Sequence, residues 1–409
     1  MNTAKERRVT VIGGGFAGLT TAYYLQQAGV KVRVLEKSSR PGGLIGTLRT
    51  PHGLVETAAN GILNSGRLEA LCAEAGIRMI EPRRESRARY IWRGGPRKFP
   101  LTAGEVVRIG TGLLTNLGRI KPAPGETITR WGERVLGRGA TFYGLSTALG
   151  GIYAGDSDRM SASLILRGQP GRGAAPKPPK PKIRGTIAPA GGMQELIDGL
   201  VRYLEQRGVE IRYNVEAQVV PGEPTIVSTS AAAAAELLRE VAPGLAAPLS
   251  RIEMLSLVTV TSFYQPVPEQ LNGFGCLFPR DQGFRARGVL MNDAIFAGRS
   301  DYRSETWILG GALDRVIVNR SDDEIAAIVA TDHERFTGRQ ETPLGLTITR
   351  WPNALPHYDL TLEKALAELP NQFDQAAPLV LSGNYLGGIG LAKVLDRSAA
   401  AVQEMLARL

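Results

Sequence analysis

The chain is short of cysteine and histidine. Cys72 and Cys276 are the only cysteines in 409 residues, so there is no disulfide framework and no cysteine pair to ligate a metal; this usage suits a reducing compartment. The three histidines, His52, His333 and His357, pair with no Ser or Cys nucleophile motif, and no metal site can be read. No uninterrupted apolar run reaches the roughly 18 residues of a membrane-spanning helix. The polar opening MNTAKERR leads into a strand without the apolar core of a signal peptide, and the location read from this is cytoplasmic. Acidic residues are outnumbered, 39 against 49 basic ones, giving a net charge of +10 and a pI near 9.7. That excess concentrates anionic partners: nucleic acid, lipid headgroups or carboxylate-rich small molecules. The basic residues are dispersed and no recognition fold accompanies them, so nucleic acid is not an expected partner.

With 43% hydrophobic and 22% charged residues, the chain has the profile of a globular protein with room for two intimately packed domains. Its most informative stretch is VTVIGGGFAGLTTAYYLQQAGVKVRVLEKSSRPGG, from Val9 to Gly43. VTVIG predicts a strand, AGLTTAYYLQQAG a helix ending at Gly29, and VKVRVLE a second strand, which puts a GxGxxG turn between strand and helix. Gly13 permits the tight turn, Gly14 and Gly15 with Phe16 and Ala17 bring backbone N–H groups to a pyrophosphate at the helix start, and Gly18 allows helix and strand to pack closely. Glu36 ends the second strand, where a carboxylate accepts hydrogen bonds from ribose hydroxyls, with Lys37 beside it. Gly42 and Gly43, followed by Leu44, allow a second close approach of backbone.

Further along, the middle of the chain reads as mainly helical up to Gly155. Residues 167–185, RGQPGRGAAPKPPKPKIRG, hold too much Pro, Gly and Lys for a regular element. Residues 190–208 carry a helical stripe of Met193, Leu196, Ile197, Leu200, Val201 and Leu204 that stops at Gly208. VEIRYNV and MLSLVTVTSFY predict strands, and STSAAAAAELLREVAP a helix. GNYLGGIG, before the helical LAKVLDRSAAAVQEML, predicts a second glycine turn at a helix N-terminus, with Gly388, Ile389 and Gly390 facing a ligand. From Phe99 to Lys121, Val106, Val107, Ile109, Leu113 and Leu114 alternate with Arg108, Arg119 and Lys121. The segment can lie on a headgroup surface or cover the protein's own core.

The order GxGxxG, acid, GG pair resembles the flavoprotein pattern of the amine oxidase and phytoene desaturase superfamily, whose members bind FAD in an extended form. The superfamily usually has Arg where this chain has Leu44. GGIYAGD, Gly150 to Asp156, resembles the hallmark segment of the protoporphyrinogen oxidases and their coproporphyrinogen-oxidising relatives. Five further segments agree in order: RYIWRGGPRKFPL, APAGGMQELIDGL, GFGCLFPRDQGFRARGVLMNDAIFAGRS, WPNALPHYDLTL and LSGNYLGGIGLAKVLDRSAAAVQEML. The resemblance implies an α/β fold: a Rossmann-like FAD-binding domain, a mixed α+β substrate domain and a mainly helical insertion. It divides the chain into FAD-binding parts at 1–80, 181–250 and 356–409, a substrate-binding and helical insertion, with a membrane-associating surface in the family, at 81–180, and a substrate sheet at 251–355.

By the same resemblance, non-covalent FAD meets Ala58, Ala59, Asn60 and Gly61 in VETAANG, together with Glu56, Ala217 and Trp351. Arg89 faces a propionate of the substrate. The segment lacks the family's GP pair, and EAQVVPGEPTIVSTS is shorter than the family's hairpin. The implied reaction is hydride transfer from a porphyrinogen to flavin N5, with dioxygen as acceptor and no catalytic residue assigned. Another tetrapyrrole or an isoprenoid substrate, a non-catalytic FAD-containing tetrapyrrole binder, a peripheral membrane contact and a homodimer all stay open.

Overall fold

The run VTVI is apolar or β-branched at every position, as befits a strand covered on both faces. In the computed structural model, which describes residues 8–167, 180–370 and 378–409, it lies at the centre of a five-stranded parallel sheet. The strand order is Glu210–Arg212, Lys31–Leu35, Arg8–Ile12, Thr225–Val227 and Leu379–Leu381. Val11 pairs with Val34 on one side and Ile226 on the other, and Ile226 with Val380. The helices Phe16–Gln27, Met193–Gln206 and Leu391–Leu406 share one core with this sheet, through Leu19, Leu25, Leu200, Leu204 and Leu395 against Val9, Val11 and Val34. The first and last of these helices are stitched together: Thr20 Oγ1 lies 2.8 Å from Ser398 Oγ, and Ser398 Oγ donates to Ala17 O. The two ends of the chain thus form one nucleotide-type domain.

A seven-stranded sheet makes the second layer, in the order Gly345–Pro356, Met254–Tyr264, Arg303–Gly310, Gly288–Met291, Gly275–Leu277, Arg89–Trp92, Pro96–Arg97. All neighbours are antiparallel except Arg89–Trp92, which runs parallel to Gly275–Leu277. One face carries Val258, Val260, Val289, Trp307 and Leu309 and is covered by the helix Asp322–Thr337 through Ile325 and Val329. The other face turns toward the nucleotide domain. The helices Ala103–Thr115, Ile128–Val135 and Thr147–Tyr153 follow the strand Pro96–Arg97 in the chain, the last preceded by a π-helical turn, Thr141–Ser146, and a small core of Ile128, Leu149, Met160 and Ala162 holds the latter two together.

The glycine-, proline- and lysine-rich stretch falls for the most part outside the described residues; at its edges Arg167 ends a second π turn and residues 180–185 are irregular. The helix expected at 190–208 spans Met193–Gln206 and ends before Gly208, whose φ is +77°. In the amphipathic segment the helix is Ala103–Thr115, opened by a Thr102–Glu105 capping box. It does not cover a core of its own: Val107 is 66% exposed, Leu114 68% and the following Leu117 72%, while Gly112 is its one buried residue. A close backbone approach explains this, because a Cβ on Gly112 would lie 2.1 Å from Val135 O. The helix docks by its glycine face and leaves its aliphatic face outward.

Candidate functional site

The first glycine turn is built by exclusion of side chains. Gly13 has φ +104° and donates to Leu35 O at 2.8 Å; a Cβ on Gly18 would sit 1.7 Å from Gly13 O. Gly15 faces the second glycine pair. It forms a bridge with Gly42, whose N–H donates to Gly14 O at 2.9 Å, and a Cβ on Gly43 would lie 3.4 Å from Gly15 Cα. Gly42 and Gly43 have φ of +100° and +60°, which only glycine adopts freely. The helix Phe16–Gln27 starts here with no side-chain cap and no acid in its first turn. Its leading N–H groups, those of Phe16, Ala17 and Gly18, therefore remain for an anion, with the positive end of the helix dipole behind them.

Arg40 completes the turn. Its guanidinium donates to Pro41 O, Gly43 O and Ile45 O at 3.2, 2.9 and 2.9 Å, while Thr57 Oγ1 donates to Leu44 O. The sequence reading passed over Arg40, although it is the cation beside the glycine pair in a chain where Leu44 takes the usual arginine's place. Glu36, half-buried, accepts from Gly14 N–H at 2.6 Å through Oε2 and from Ser38 N–H and Oγ through Oε1. About one of a carboxylate's roughly four acceptor positions then remains for a ribose hydroxyl. Lys37 is exposed and paired with Glu216 at 2.7 Å. Ala217 is buried with Ile12 and Leu35 behind the strand tips.

The last helix provides a second uncapped start at the same edge of the parallel sheet. Gly387 and Gly388 have φ of +117° and +134°, and Gly390 is the N-cap of Leu391–Leu406, with no side-chain hydrogen bond and Ile389 just before it. One strand separates the two strands that feed these helices, which therefore lie about 10 Å apart along the sheet. Ala58, Ala59, Asn60 and Gly61 follow the strand Gly53–Glu56. Trp351 is brought to them across 294 residues: its Nε1 donates to Thr57 O at 2.6 Å, and Thr259 Oγ1 shares the same oxygen at 3.2 Å.

Glu56 itself is turned into the protein. It is 5% exposed, ion-paired with the equally enclosed Arg299 at 2.6 Å, and it accepts from Thr47 Oγ1 at 2.6 Å and from the Met193 N–H at the start of a helix. Burial pushes its carboxyl above the ordinary range, against the pull of Thr47, Arg299 and Met193. These contacts make Glu56 an anchor for the segment Ala58–Gly61 that follows it.

Arg89 is exposed, and its guanidinium lies 4.3 Å from the centre of the Phe274 ring. Among the described residues no carboxylate pairs with it. Sheet register places Arg89, Gly275, Leu290, Thr306 and Thr261 in one row; Thr259 and then Trp351 follow on the same face. Four strand spacings separate Arg89 from Thr261, about 19 Å; along the row Thr306 and Thr261 are buried and Leu290 packs on the core shared with the first sheet. The GGIYAGD segment ends its helix with Ala154 in the left-handed region, φ +51°. Tyr153 packs on Tyr358 at 5.1 Å, and Tyr358 donates to Asn384 O beside the last glycine turn.

His357, Glu253 and Asp359 lie close enough to suggest a metal site. Their atoms are already engaged: Arg159 donates to Glu253 and Asp359, and His357 Nε2 accepts from the Asp156 N–H at 3.2 Å. This cluster ties GGIYAGD to the end of the strand Gly345–Pro356. His333 is likewise an internal polar residue, held between Glu305 and Glu341.

Two glycine-lined helix starts at one sheet edge, an acid after the second strand and a glycine pair facing the first turn form a cradle for an extended dinucleotide. The family of flavin containing amine oxidoreductases matches residues 16–392, and the chain belongs to it. It is an FAD-dependent oxidoreductase. Among its relatives, chloroplastic/mitochondrial protoporphyrinogen oxidase 2 of Arabidopsis thaliana is 22% identical, covering 98% of this chain and 94% of the plant protein. Coproporphyrinogen III oxidase of Mycobacterium tuberculosis is 25% identical, covering 98% and 97%. The crystal structure of a protein named as a candidate protoporphyrinogen oxidase from Exiguobacterium sp. 255-15 superposes with a TM-score of 0.82 over 99% of this chain and 100% of its own, at 18% identity. No helix among the described residues is long and apolar enough to cross a membrane.

Proposed function

We propose that this chain oxidises a porphyrinogen, protoporphyrinogen IX or coproporphyrinogen III, to the porphyrin, with dioxygen as the final acceptor. The observation that carries the reading is the exposed, carboxylate-free Arg89 on the same sheet face as Trp351, together with relatives of that kind along nearly the whole chain. FAD, when bound, supplies the two-electron acceptor for hydride from a methylene bridge, and three rounds convert porphyrinogen to porphyrin. In this reading Gly13–Gly18, Gly42 and Gly43 hold the pyrophosphate, Glu36 the ribose, and Ala217 flanks the adenine. Ala58–Gly61 and Trp351 line the flavin ring.

The start of the helix Leu391–Leu406 directs N–H groups and a partial positive charge at the ring's pyrimidine edge through Gly388, Ile389 and Gly390, which favours negative charge there. Arg89 holds a propionate by a charge-assisted hydrogen bond while its face stays on Phe274.

The outward aliphatic face of Ala103–Thr115, with Arg108 on the same helix and Arg119 and Lys121 following, is proposed as a peripheral contact with anionic lipid, suited to a poorly soluble substrate. The test of function is direct. Purified yellow protein is mixed with each porphyrinogen in air, and porphyrin fluorescence is followed. Growth of fluorescence above the uncatalysed rate is the expected result. If there is none with either substrate, while photoreduced flavin still reoxidises in air, the enzyme acts on something else; a flavin that does not reoxidise marks a binder.

A further inference from the structure

A cavity of about 330 Å³ lies away from the glycine turns, between the helical segment around Phe142–Gly151 and the connection Phe278–Arg287, with Gly310 and Leu313 at its border. None of the residues assigned above to the cofactor, and not Arg89, lines it. Its apolar wall is Phe142, Phe278 and Phe284, the latter two stacked with centres 3.8 Å apart. Its polar wall is unusual in charge. Arg287 donates through Nε to Gly310 O at 2.7 Å and through Nη1 to Gly150 O and Gly155 O at 3.2 and 3.3 Å, and its Nη2 is shut off from solvent without a partner.

Other enclosed arginines are matched: Arg299 by Glu56, Arg303 by Glu341. Arg287 has no carboxylate in ion-pair reach among the described residues. The acids that face it from neighbouring elements, Asp156 and Asp314, act only at longer range, and Asp314 is taken by Arg285 at 2.7 Å. Burial pushes Arg287 down to about 10, the mark of a cation short of countercharge. The third cation, Arg280, reaches Asp158 only at 3.3 Å and Asp156 at 3.9 Å. These are longer than the roughly 2.7–2.9 Å of a firm charge-assisted bond, so Arg280 can re-aim. Arg280, Arg285 and Arg287 are matched in number by Asp156, Asp158 and Asp314, but no carboxylate among the described residues comes within ion-pair reach of Arg287 itself.

We propose that this cavity is a binding site for a small organic carboxylate, its apolar body against Phe142, Phe278 and Phe284 and its anionic end on Arg280, with the charge of Arg287 behind it. A pocket of this size suits a ligand smaller than a tetrapyrrole. The proposal is independent of the porphyrinogen reading, since its test needs no turnover.

FAD-loaded protein is titrated calorimetrically with benzoate and, separately, with inorganic phosphate. Benzoate should bind saturably, at least tenfold more tightly than phosphate. Leu313→Trp fills the half-exposed mouth while leaving every Arg287 hydrogen bond in place, and should weaken benzoate at least tenfold with unchanged melting temperature; Arg287→Met should abolish binding. Three results would overturn the proposal: no saturable benzoate binding, equal binding of phosphate, or benzoate affinity unchanged in Leu313→Trp.

Discussion

Replacing Arg299 by leucine breaks an ion pair that the fold encloses almost completely. Both side chains are 4% exposed, so Arg299→Leu leaves the Glu56 carboxylate enclosed with only Thr47 and the Met193 N–H as partners. Removing one member of such a pair costs about 3–5 kcal/mol, because the survivor keeps its desolvation penalty without its partner. With an unfolding entropy of ~2.1 cal/mol/K per residue, a chain of this length loses about 1 °C per kcal/mol, so the melting temperature should fall by about 3–6 °C.

The pH dependence carries the sharper test. Glu56 is raised in the folded state, so between its unfolded and folded values the folded chain binds more protons, and stability falls as pH rises through that window. Without Arg299 the folded value climbs further, and the deficit relative to wild type should widen from pH 5 to pH 8. Glu56→Gln in the Arg299→Leu background should recover part of it by removing the charge. Urea denaturation at the two pH values measures all three proteins. A deficit that does not change with pH, or a double variant no more stable than Arg299→Leu, would refute the argument that an unpaired buried charge is the cause.

Other perturbations separate binding from folding. A Cβ on Gly15 meets only Gly43 Cα at 3.9 Å, so Gly15→Ala should keep the apoprotein's stability within about 1 kcal/mol while lowering flavin content at least tenfold, read from the absorbance of purified protein. Trp351→Phe removes the bond to Thr57 O but leaves Thr259 on the same oxygen, so chemical denaturation should register a loss of only about 1 kcal/mol. Arg89→Ala should raise KM for a propionate-bearing porphyrinogen about tenfold with little change in bound flavin; equal KM in the variant removes Arg89 from the substrate site. Val107→Glu with Leu114→Glu should release the protein from anionic vesicles in a sedimentation assay without shifting its melting temperature, since both side chains already face water.

What could be read from the order of residues alone is whatever neighbouring positions decide together. The strand–glycine turn–helix unit at Val9–Gln27, the acid at Glu36, the pair Gly42–Gly43 and the turn before Leu391 are all such cases, because backbone torsion and close approach depend on residue type at short spacing. Pairings between distant segments left no local trace. Arg89–Trp92 lies parallel to Gly275–Leu277 across more than 180 residues, Trp351 bonds to Thr57, and Arg299 neutralises Glu56; none of these partners changes the periodicity of its own stretch. Nor could the pattern of Val106, Val107, Leu113 and Leu114 say which way their helix would turn, since an aliphatic stripe looks the same facing a core or facing out. Gly112 settled that by pressing against Val135 O, a steric fact that exists only once the helices meet.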